Sequence, residues 1–332
     1  YNITEYIKSG VRKLKKYKII IAIVLALILG LFIYGYILLD SINIKELPEN
    51  DEDLGITPTP APTEPVQEKS ESGTAAVTNI ALFGLDRRNP DESSRSDTII
   101  IASLDKINEM IKVTSLMRDM YVAIPGKQSN RINTAYAFGG ATLAIKTINS
   151  NFGLDIRDYV AVDFLGLEKM IDKMGGLELN VKDYEIPEIN GVSKSGLQKL
   201  NGKQVVDYAR IRHVGDADFE RTQRQRYILD CLYKKIKSQG IAKLPRTISA
   251  LLPYVETSLS KTEIMELVME VSQYDAEGIT QFRVPADGLF ENKKVRGMYV
   301  LVPDIKANKK LLHQFIYEIK EEKAASQYIS SY

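Results

Sequence analysis

Two aspartates stand at the ends of two short apolar segments that the sequence predicts as strands. Asp86 follows the segment 79–84, and Asp97 precedes the segment 98–104. If these strands pair, both carboxylates lie at one edge of a sheet, where they repel each other unless a cation lies between them. Mg²⁺ suits that position because it is commonly held by one or two carboxylates together with substrate phosphates. For Asp86 alone, a turn residue after a strand is the simpler interpretation.

Arginines occur near other strand ends of the same region. Arg118 follows an apolar segment predicted as a strand, and Asp119 comes directly after it, either to orient Arg118 or to act as a base. Arginine suits phosphate because its planar, permanently charged guanidinium donates two parallel hydrogen bonds. Arg210 and Arg212 point the same way if their segment is extended. This pattern predicts an anion-binding site.

A long amphipathic helix predicted at residues 219–237 carries Arg221 and Gln225 on one face, since these residues are four positions apart. Each arginine in isolation is more simply a solvated surface side chain, because arginine is mostly exposed in proteins. Residues 205–230 hold five arginines and five acidic residues, so the segment has no net charge. Only the joint pattern of arginines and aspartates at strand and helix ends favours phosphate chemistry. His213 is either a proton carrier or, more simply, a polar loop residue.

The elements that must position these side chains alternate between strands and helices. Strands are expected at residues 79–84, 98–104, 110–117, 159–162, 177–181, 280–284 and 299–302, and helices at 141–151, 164–174, 201–208, 219–237, 244–252, 261–274 and 305–321. Such alternation predicts a three-layer α/β/α sandwich. The hairpin expected between residues 99 and 117 indicates a mixed central sheet.

An uncharged run of 21 residues at 19–39 precedes this domain and is long enough for a transmembrane helix, which needs about 20 apolar residues. Lysine and arginine dominate the flank before the run, and acidic residues dominate the flank after it. The positive flank predicts a cytoplasmic N-terminus. We therefore expect a basic cytoplasmic tail at 1–18, one membrane span at 19–39, a stalk rich in Pro, Thr and Glu at 40–78, and an extracytoplasmic catalytic domain at 79–325.

The overall charge argues against nucleic acid as a partner. The 332 residues carry 44 Lys and Arg against 43 Asp and Glu, for a net charge of +1. Nucleic-acid-binding domains instead show a basic patch or an elevated isoelectric point. With two histidines and the single cysteine Cys231, a zinc site of the usual ligand set is also not expected.

Six ordered motifs occupy residues 79–240, and together they resemble the LytR-CpsA-Psr family. They read NIALFGLDRR, SRSDTIIIASLD, VTSLMRDMYVAIP, RINTAYAFGG, LNGKQVVDYARIRH and DFERTQRQR. The resemblance implies that Asp86 and Asp97 are magnesium ligands. It implies a pyrophosphate-binding set of Arg95, Arg118, Arg131, Arg210, Arg212, Arg221 and Gln225. Asp97, Arg118 and Asp119 are the expected catalytic residues.

The resemblance also implies a function. Family members are Mg²⁺-dependent phosphotransferases of the outer membrane face that move a glycopolymer, such as a teichoic acid or a capsular polysaccharide, from undecaprenyl pyrophosphate to a sugar hydroxyl of peptidoglycan. The polyprenyl chain occupies an apolar channel. Alternatives are a polyprenyl-pyrophosphate binding module, an envelope regulator without transferase activity, or a pyrophosphatase. One departure stands out, because Glu220 replaces a usual glycine and weakens anion binding if its carboxylate points inward.

Overall fold

The computed structural model describes residues 43–57, 76–87, 94–274 and 278–318. The predicted cytoplasmic tail at 1–18 and the predicted membrane span at 19–39 lie outside the described residues. Within the described ranges, no helix is both long and apolar enough to cross a bilayer.

Short apolar segments form the strands of the domain. The strands are β1 (Asn43–Ile44), β2 (Val77–Leu85), β3 (Ser96–Asp105), β4 (Met110–Leu116), β5 (Tyr121–Val122), β6 (Asn130–Arg131), β7 (Asp158–Asp163), β8 (Leu177–Val181), β9 (Gly196–Leu200), β10 (Glu256–Thr257), β11 (Ile279–Val284), β12 (Phe290–Val295) and β13 (Met298–Pro303). Seven of them form the central sheet in the order β1-β10-β7-β2-β3-β4-β11. The pairs β5–β6, β8–β9 and β12–β13 form separate two-stranded sheets.

The central sheet is mixed, as the sequence predicted. Strands β2, β3 and β4 are successively antiparallel, whereas β7 pairs with β2 and β11 pairs with β4 in parallel. Consecutive apolar residues such as Ile99, Ile100 and Ile101 are all buried, because both faces of the sheet are covered. The mixed α/β fold is therefore confirmed.

Seven α-helices accompany the strands in the described part of the chain. They are α1 (Thr134–Phe152), α2 (Phe164–Lys173), α3 (Gly202–Arg210), α4 (Ala217–Ser238), α5 (Leu244–Leu251), α6 (Lys261–Gln273) and α7 (Ile305–His313). Side-chain caps explain several starts: Asp163 accepts a hydrogen bond from the Gly166 N–H, and Asn201 caps α3 together with Gln204. Such caps satisfy N–H groups that have no partner within the helix.

The helices lie on both faces of the sheet. On one face, Phe83 of β2 and Ile101 of β3 belong to a core that also contains Ile145 of α1 and Leu312 of α7. On the other face, Leu82 and the alternate sheet residues lie opposite helices α4, α5 and α6. Alternate residues of a strand point to opposite faces, so each strand contributes to both layers.

Two local predictions differ from the structure. The helix expected at 141–151 begins earlier, at Thr134, and is interrupted at Gly139 and Gly140, where Gly140 has a φ of 62° that favours glycine. Arg210 is the last residue of α3 rather than part of an extended segment, so Arg210 and Arg212 do not share one direction. The capped start of α3 carries the helix through Arg210 before the backbone becomes extended.

The first part of the predicted stalk packs on the domain. Residues 43–57 are described, and within them β1 pairs with β10 while Leu54 is 1% exposed inside the core. Lys45 forms an ion pair of 2.7 Å with the buried Glu256. The predicted stalk at 40–78 therefore does not describe residues 43–57, because Leu54 and Lys45 have specific partners in the domain. Residues 77 and 78 also belong to the domain, as part of β2. Residues 58–75 lie outside the described ranges.

Candidate active site

The side chain of Arg118 lies at the centre of a charged cluster. Strands β3 and β4 are antiparallel, so the start of β3 lies beside the end of β4, and Asp97 meets Arg118 there. Nη1 of Arg118 donates a hydrogen bond of 2.6 Å to Oδ2 of Asp97. Nδ2 of Asn133 approaches the other oxygen of Asp97 at 3.4 Å. The strand pairing predicted from the sequence thus positions the central ion pair.

Asp218 joins three arginines that are distant in sequence. Its Oδ2 lies 3.4 Å from Nε of Arg118 and 3.0 Å from Nη2 of Arg221. Its Oδ1 lies 3.4 Å from Nε of Arg212. Sequence reasoning did not select Asp218 as a site residue. The available signal was its position in the first turn of α4, three residues before Arg221.

Asp119 and Arg131 extend the cluster on its other side. Nε of Arg131 lies 3.3 Å from Oδ1 of Asp119, whose Oδ2 lies 3.7 Å from Nε of Arg118. Nη2 of Arg131 also donates a hydrogen bond of 2.6 Å to the carbonyl oxygen of Tyr299. We use the name arginine cluster for the following set: Arg118, Arg131, Arg212, Arg221, Asp97, Asp119 and Asp218.

Several buried polar atoms of this cluster make no hydrogen bond with the described residues. The Nε atoms of Arg118, Arg131 and Arg221 are among them, as is Oδ1 of Asp119. Nε of Arg118 and Nε of Arg131 approach neighbouring carboxylates only as ion pairs, without hydrogen-bond geometry. Because most buried polar side-chain atoms in folded proteins are hydrogen-bonded, these donors indicate a site built for an anionic ligand.

Burial also changes the pKa of Arg221, whose side chain is 4% exposed. Removal from water lowers the pKa of Arg221 to about 10; the nearby Asp218 carboxylate opposes this effect, and the charge of Arg118 adds to it. At neutral pH the guanidinium therefore remains charged. A phosphate group in contact with it would relieve the cost of burying this charge.

Four predicted site residues lie apart from the arginine cluster. The guanidinium carbon of Arg210 stacks 4.6 Å from the ring centroid of Phe164. Nε2 of Gln225 donates a hydrogen bond of 3.4 Å to the carbonyl oxygen of Ala209. Arg95 and Asp86 are exposed, and their side chains contact none of the described residues through hydrogen bonds or ion pairs. The structure thus joins six of the predicted residues: Asp97, Arg118, Asp119, Arg131, Arg212 and Arg221.

The two aspartates predicted to hold Mg²⁺ lie at the same end of one strand pair. Leu85 pairs with Ser96, and the N–H of Asp86 approaches the carbonyl oxygen of Arg95 at 3.4 Å. Among the described residues, no three His, Cys, Asp or Glu side chains are grouped to hold a metal ion. Two carboxylates fit an ion that completes its coordination with substrate phosphate oxygens and water. The donor set of Asp86 and Asp97 is therefore compatible with Mg²⁺.

The carboxylate of Glu220, which replaces the glycine usual in the family motif, points away from the arginine cluster. Its Oε2 accepts hydrogen bonds from Nη2 of Arg224 at 2.6 Å and from the hydroxyl of Tyr184 at 2.9 Å. Arg224 also donates a hydrogen bond of 2.6 Å to Glu185. Glu220 is thus held in a local network, and its charge is neutralised by Arg224 rather than set against the ligand of Arg221.

An apolar cavity of about 520 Å³ lies between the sheet and helices α4, α5 and α6. The sheet contributes Ile80 and Leu82 of β2, and α4 contributes Leu229 and Ile236. The same two elements lead to the charged site, since β2 ends just before Asp86 and α4 begins beside the arginine cluster. The arrangement can therefore hold a molecule with a charged head and a long apolar tail.

The chain matches the model of one protein family and is similar to curated proteins of known name. The model of the LytR_cpsA_psr family matches residues 55–316. The regulatory protein MsrR of Staphylococcus aureus is 34% identical over 217 residues, which cover 64% of this chain and 66% of MsrR, just under two thirds of that relative. A Bacillus cereus protein named polyisoprenyl-teichoic acid–peptidoglycan teichoic acid transferase TagU is 29% identical over 290 residues, covering 86% of this chain and 91% of TagU.

The fold also matches a solved structure. The LytR-CPS2A-psr family protein YwtF (TagT), determined with bound octaprenyl pyrophosphate lipid, superposes with a TM-score of 0.58 and 21% sequence identity. The match covers 75% of this chain and 94% of that one. At this identity the likeness establishes a shared fold.

Proposed function

This chain belongs to the LytR-CpsA-Psr family, and on that premise we propose that it transfers a phosphate-linked glycopolymer from undecaprenyl pyrophosphate to a sugar hydroxyl of peptidoglycan. One observation carries the proposal: four arginines converge around Asp97, Asp119 and Asp218, and buried guanidinium nitrogens among them have no hydrogen-bond acceptor in the described part of the chain. The similarity to TagU, whose name states such a transfer, supports it.

The arginine cluster binds the two phosphates of the carrier. Arg118 and Arg221 donate hydrogen bonds to phosphate oxygens, and their charges stabilise the negative charge that moves onto the leaving phosphate. The sugar hydroxyl attacks the phosphorus next to the glycopolymer; a new P–O bond to the wall forms as the bond to the bridging oxygen breaks. Undecaprenyl phosphate leaves. Because the arginines are already held in position, they rearrange little during the reaction, and this lowers the activation barrier for phosphoryl transfer.

Proton transfer requires a base near the attacking hydroxyl. Asp119 is one candidate, since its Oδ1 makes no hydrogen bond with the described residues; a metal-bound carboxylate, Asp86 or Asp97, is the other. Asp86 and Asp97 would hold Mg²⁺, which would neutralise charge on the pyrophosphate. Arg118 keeps Asp97 in place through its 2.6 Å hydrogen bond.

The apolar cavity takes the polyprenyl chain of the carrier. Burial of methylene groups contributes about 0.8 kcal/mol for each CH₂, so a long isoprenoid gains much of its affinity there. The sequence predicts a membrane span at residues 19–39 with the N-terminus in the cytoplasm. We propose on this basis that the domain works extracytoplasmically, at the surface where the carrier is anchored. An anchored domain meets a lipid substrate without leaving the membrane.

A reconstituted transfer assay tests the proposal. The full chain in detergent is incubated with radiolabelled lipid-linked glycopolymer, Mg²⁺ and peptidoglycan, and the expected product is labelled peptidoglycan together with undecaprenyl phosphate. Release of free glycopolymer phosphate would indicate a pyrophosphatase. Tight donor binding without turnover would instead indicate a binding module or a regulator, in keeping with the name of MsrR.

A further inference from the structure

A second pocket of about 590 Å³ lies between the first turns of α4 and strand β11. Its lining includes Phe219, Gln223 and Arg226 of α4, and Gln281 and Arg283 of β11. We call it the α4–β11 pocket. It is distinct from the apolar cavity, because it combines guanidinium and amide groups with aromatic rings.

The α4–β11 pocket and the arginine cluster share the same helix. Residues 219, 223 and 226 follow the i, i+4, i+7 spacing of one helical face, whereas Asp218 and Arg221 lie on a neighbouring face that contacts Arg118. A helix with its side chains is about 10–12 Å across. A ligand in the pocket is therefore within the length of a short saccharide from the phosphates held by the cluster.

Arg226 is buried in this pocket without a counter-ion. The residue is only 8% exposed. Nε donates a hydrogen bond of 3.2 Å to Gln281, and Nη1 donates one of 2.8 Å to the hydroxyl of Ser115. It forms no ion pair with a carboxylate in the described part of the chain. A buried, unpaired charge is costly, and the natural way to offset the cost is an anion.

Burial, together with the nearby charge of Arg283, lowers the pKa of Arg226 to about 10. The guanidinium carbon of Arg283 lies 4.3 Å from the ring centroid of Phe219, and one of its amino groups pairs with Asp287. The other, Nη1, is buried without a hydrogen-bond partner among the described residues. Arg226 therefore offers a charge that no carboxylate neutralises in the described part of the chain, and Arg283 offers the nitrogen Nη1 to an anionic ligand.

The remaining groups of the α4–β11 pocket suit a sugar better than a bare anion. Phe219 and Phe290 face each other with ring centroids 5.8 Å apart, and flat aromatic rings pack against the C–H faces of sugars. Gln223 is exposed and has no hydrogen bond with the described residues, so its amide can donate and accept. Asp216 at the exposed rim can accept hydrogen bonds from hydroxyl groups.

We propose that the α4–β11 pocket binds a sugar residue that carries a carboxylate or phosphate group, with Arg226 and Arg283 on the anionic group. The inference rests on the proposed function, because the anionic sugar is then a unit either of the glycopolymer on the carrier or of the wall glycan that accepts it. Either source places a sugar beside the reacting phosphorus.

Direct binding tests the chemistry. Glucuronate and glucose 6-phosphate are titrated calorimetrically into the full chain in detergent, with glucose as the uncharged control. Both anionic sugars should bind, and Arg226→Gln or Arg283→Gln should weaken them by about 10- to 100-fold, as expected when a hydrogen bond to a charged group is lost. Gln223→Ala changes an exposed residue and leaves the fold intact, and it should also weaken the binding of both anionic sugars. The control variant Arg246→Gln, which changes an exposed arginine outside the pocket, should bind them like the wild-type chain. Equal affinities in the wild-type chain and all three pocket variants would overturn the proposal.

Kinetics distinguish the two sources. In the transfer assay, Gln223→Ala and Arg283→Gln should raise one KM. A higher KM for the lipid-linked donor assigns the pocket to the glycopolymer, and a higher KM for peptidoglycan assigns it to the acceptor; if neither changes, the pocket has no part in substrate recognition and the proposal fails. Should the chain transfer no polymer at all, the titration still decides whether the pocket binds anionic sugars, so the two failures remain distinguishable.

Discussion

Arg118 and Asp97 are joined by a hydrogen bond of 2.6 Å although they are separated by 21 positions in the chain. The bond lies where an antiparallel hairpin brings the end of β4 beside the start of β3. Arg118 also approaches Asp119 and Asp218. Carboxylates thus hold the guanidinium that we assign to the pyrophosphate, so the ligand must share Arg118 with these aspartates.

Arg118→Ala should reduce glycopolymer transfer by about 10²–10³-fold, because loss of one charge-stabilising donor typically has that effect on the rate. The melting temperature of the variant should stay close to that of the wild-type chain, although its transfer rate falls. The matched control is Arg246→Ala. It removes an exposed arginine of α5, a helix that contributes no residue to the arginine cluster. Transfer at the wild-type rate by a folded Arg118→Ala protein would exclude Arg118 from the reaction.

Asp218→Asn should destabilise the chain by about 1–3 kcal/mol, since two of the groups it contacts, Nε of Arg118 and the guanidinium of Arg221, are buried. Three guanidinium groups then repel one another without their shared counter-charge. Inorganic pyrophosphate should replace the missing charge, so it should raise the melting temperature of Asp218→Asn more than that of the wild-type chain. An equal increase in the two proteins, measured by differential scanning calorimetry, would contradict the role of Asp218 as a bridge.

Asp86→Asn should raise the Mg²⁺ concentration needed for half-maximal transfer by at least about tenfold, because even indirect partners of a metal ligand affect affinity by about 10- to 100-fold. Asp97→Asn should do the same and should also lower the maximal rate, since Asp97 additionally positions Arg118. Titration of Mg²⁺ against transfer rate measures both. An unchanged Mg²⁺ requirement in Asp86→Asn would show that Asp86 is only a turn residue.

Ala102→Phe should fill part of the apolar cavity that Ala102 lines. Displacing two methylene groups of the lipid corresponds to about a tenfold loss of affinity. Binding of polyprenyl pyrophosphate should fall accordingly, whereas binding of inorganic pyrophosphate should not change. The control is Ala123→Phe, which makes the same increase in side-chain size at an exposed position. If Ala102→Phe left the lipid affinity intact, the polyprenyl chain would have to bind elsewhere.

Glu256→Gln should alter the pH dependence of stability. Burial by itself would raise the pKa of Glu256, but the hydrogen bond from Lys45, together with Tyr159 and Arg87, lowers it below its ordinary value of 4.5. A carboxyl whose pKa is lowered by folding stabilises the protein above the unfolded pKa, and this contribution is lost as pH falls through the folded pKa. The variant should therefore be less stable than the wild-type chain at pH 7, by about 1–3 kcal/mol.

Below the folded pKa of Glu256, the difference between the variant and the wild-type chain should shrink. Urea unfolding at a series of pH values between 7 and 3 measures it. Glu178→Gln, which changes an exposed glutamate of β8, serves as the control and should follow the wild-type curve. A constant difference across this range would mean that the contribution of Glu256 does not depend on its charge.

Much of the site was predictable because its information is local. The apolar segments at 98–104 and 110–117 predicted the hairpin, and the hairpin alone brings Asp97 near Arg118. The family motifs identified Arg131, Arg212 and Arg221, which the structure indeed joins to that pair through aspartates. Residue type and strand order were sufficient to predict these contacts, since in a hairpin the start of the first strand always lies beside the end of the second.

Other features were decided only by tertiary structure. The bridging role of Asp218 depends on how α4 docks against β4, and the different directions of Arg210 and Arg212 depend on where α3 ends. Arg226 looks like any charged helix residue in the sequence, yet the packing of α4 on β11 buries it beside Arg283. The angle and depth at which a helix packs on a sheet follow from the sum of many side-chain contacts distant in the chain, which spacing along the sequence does not contain.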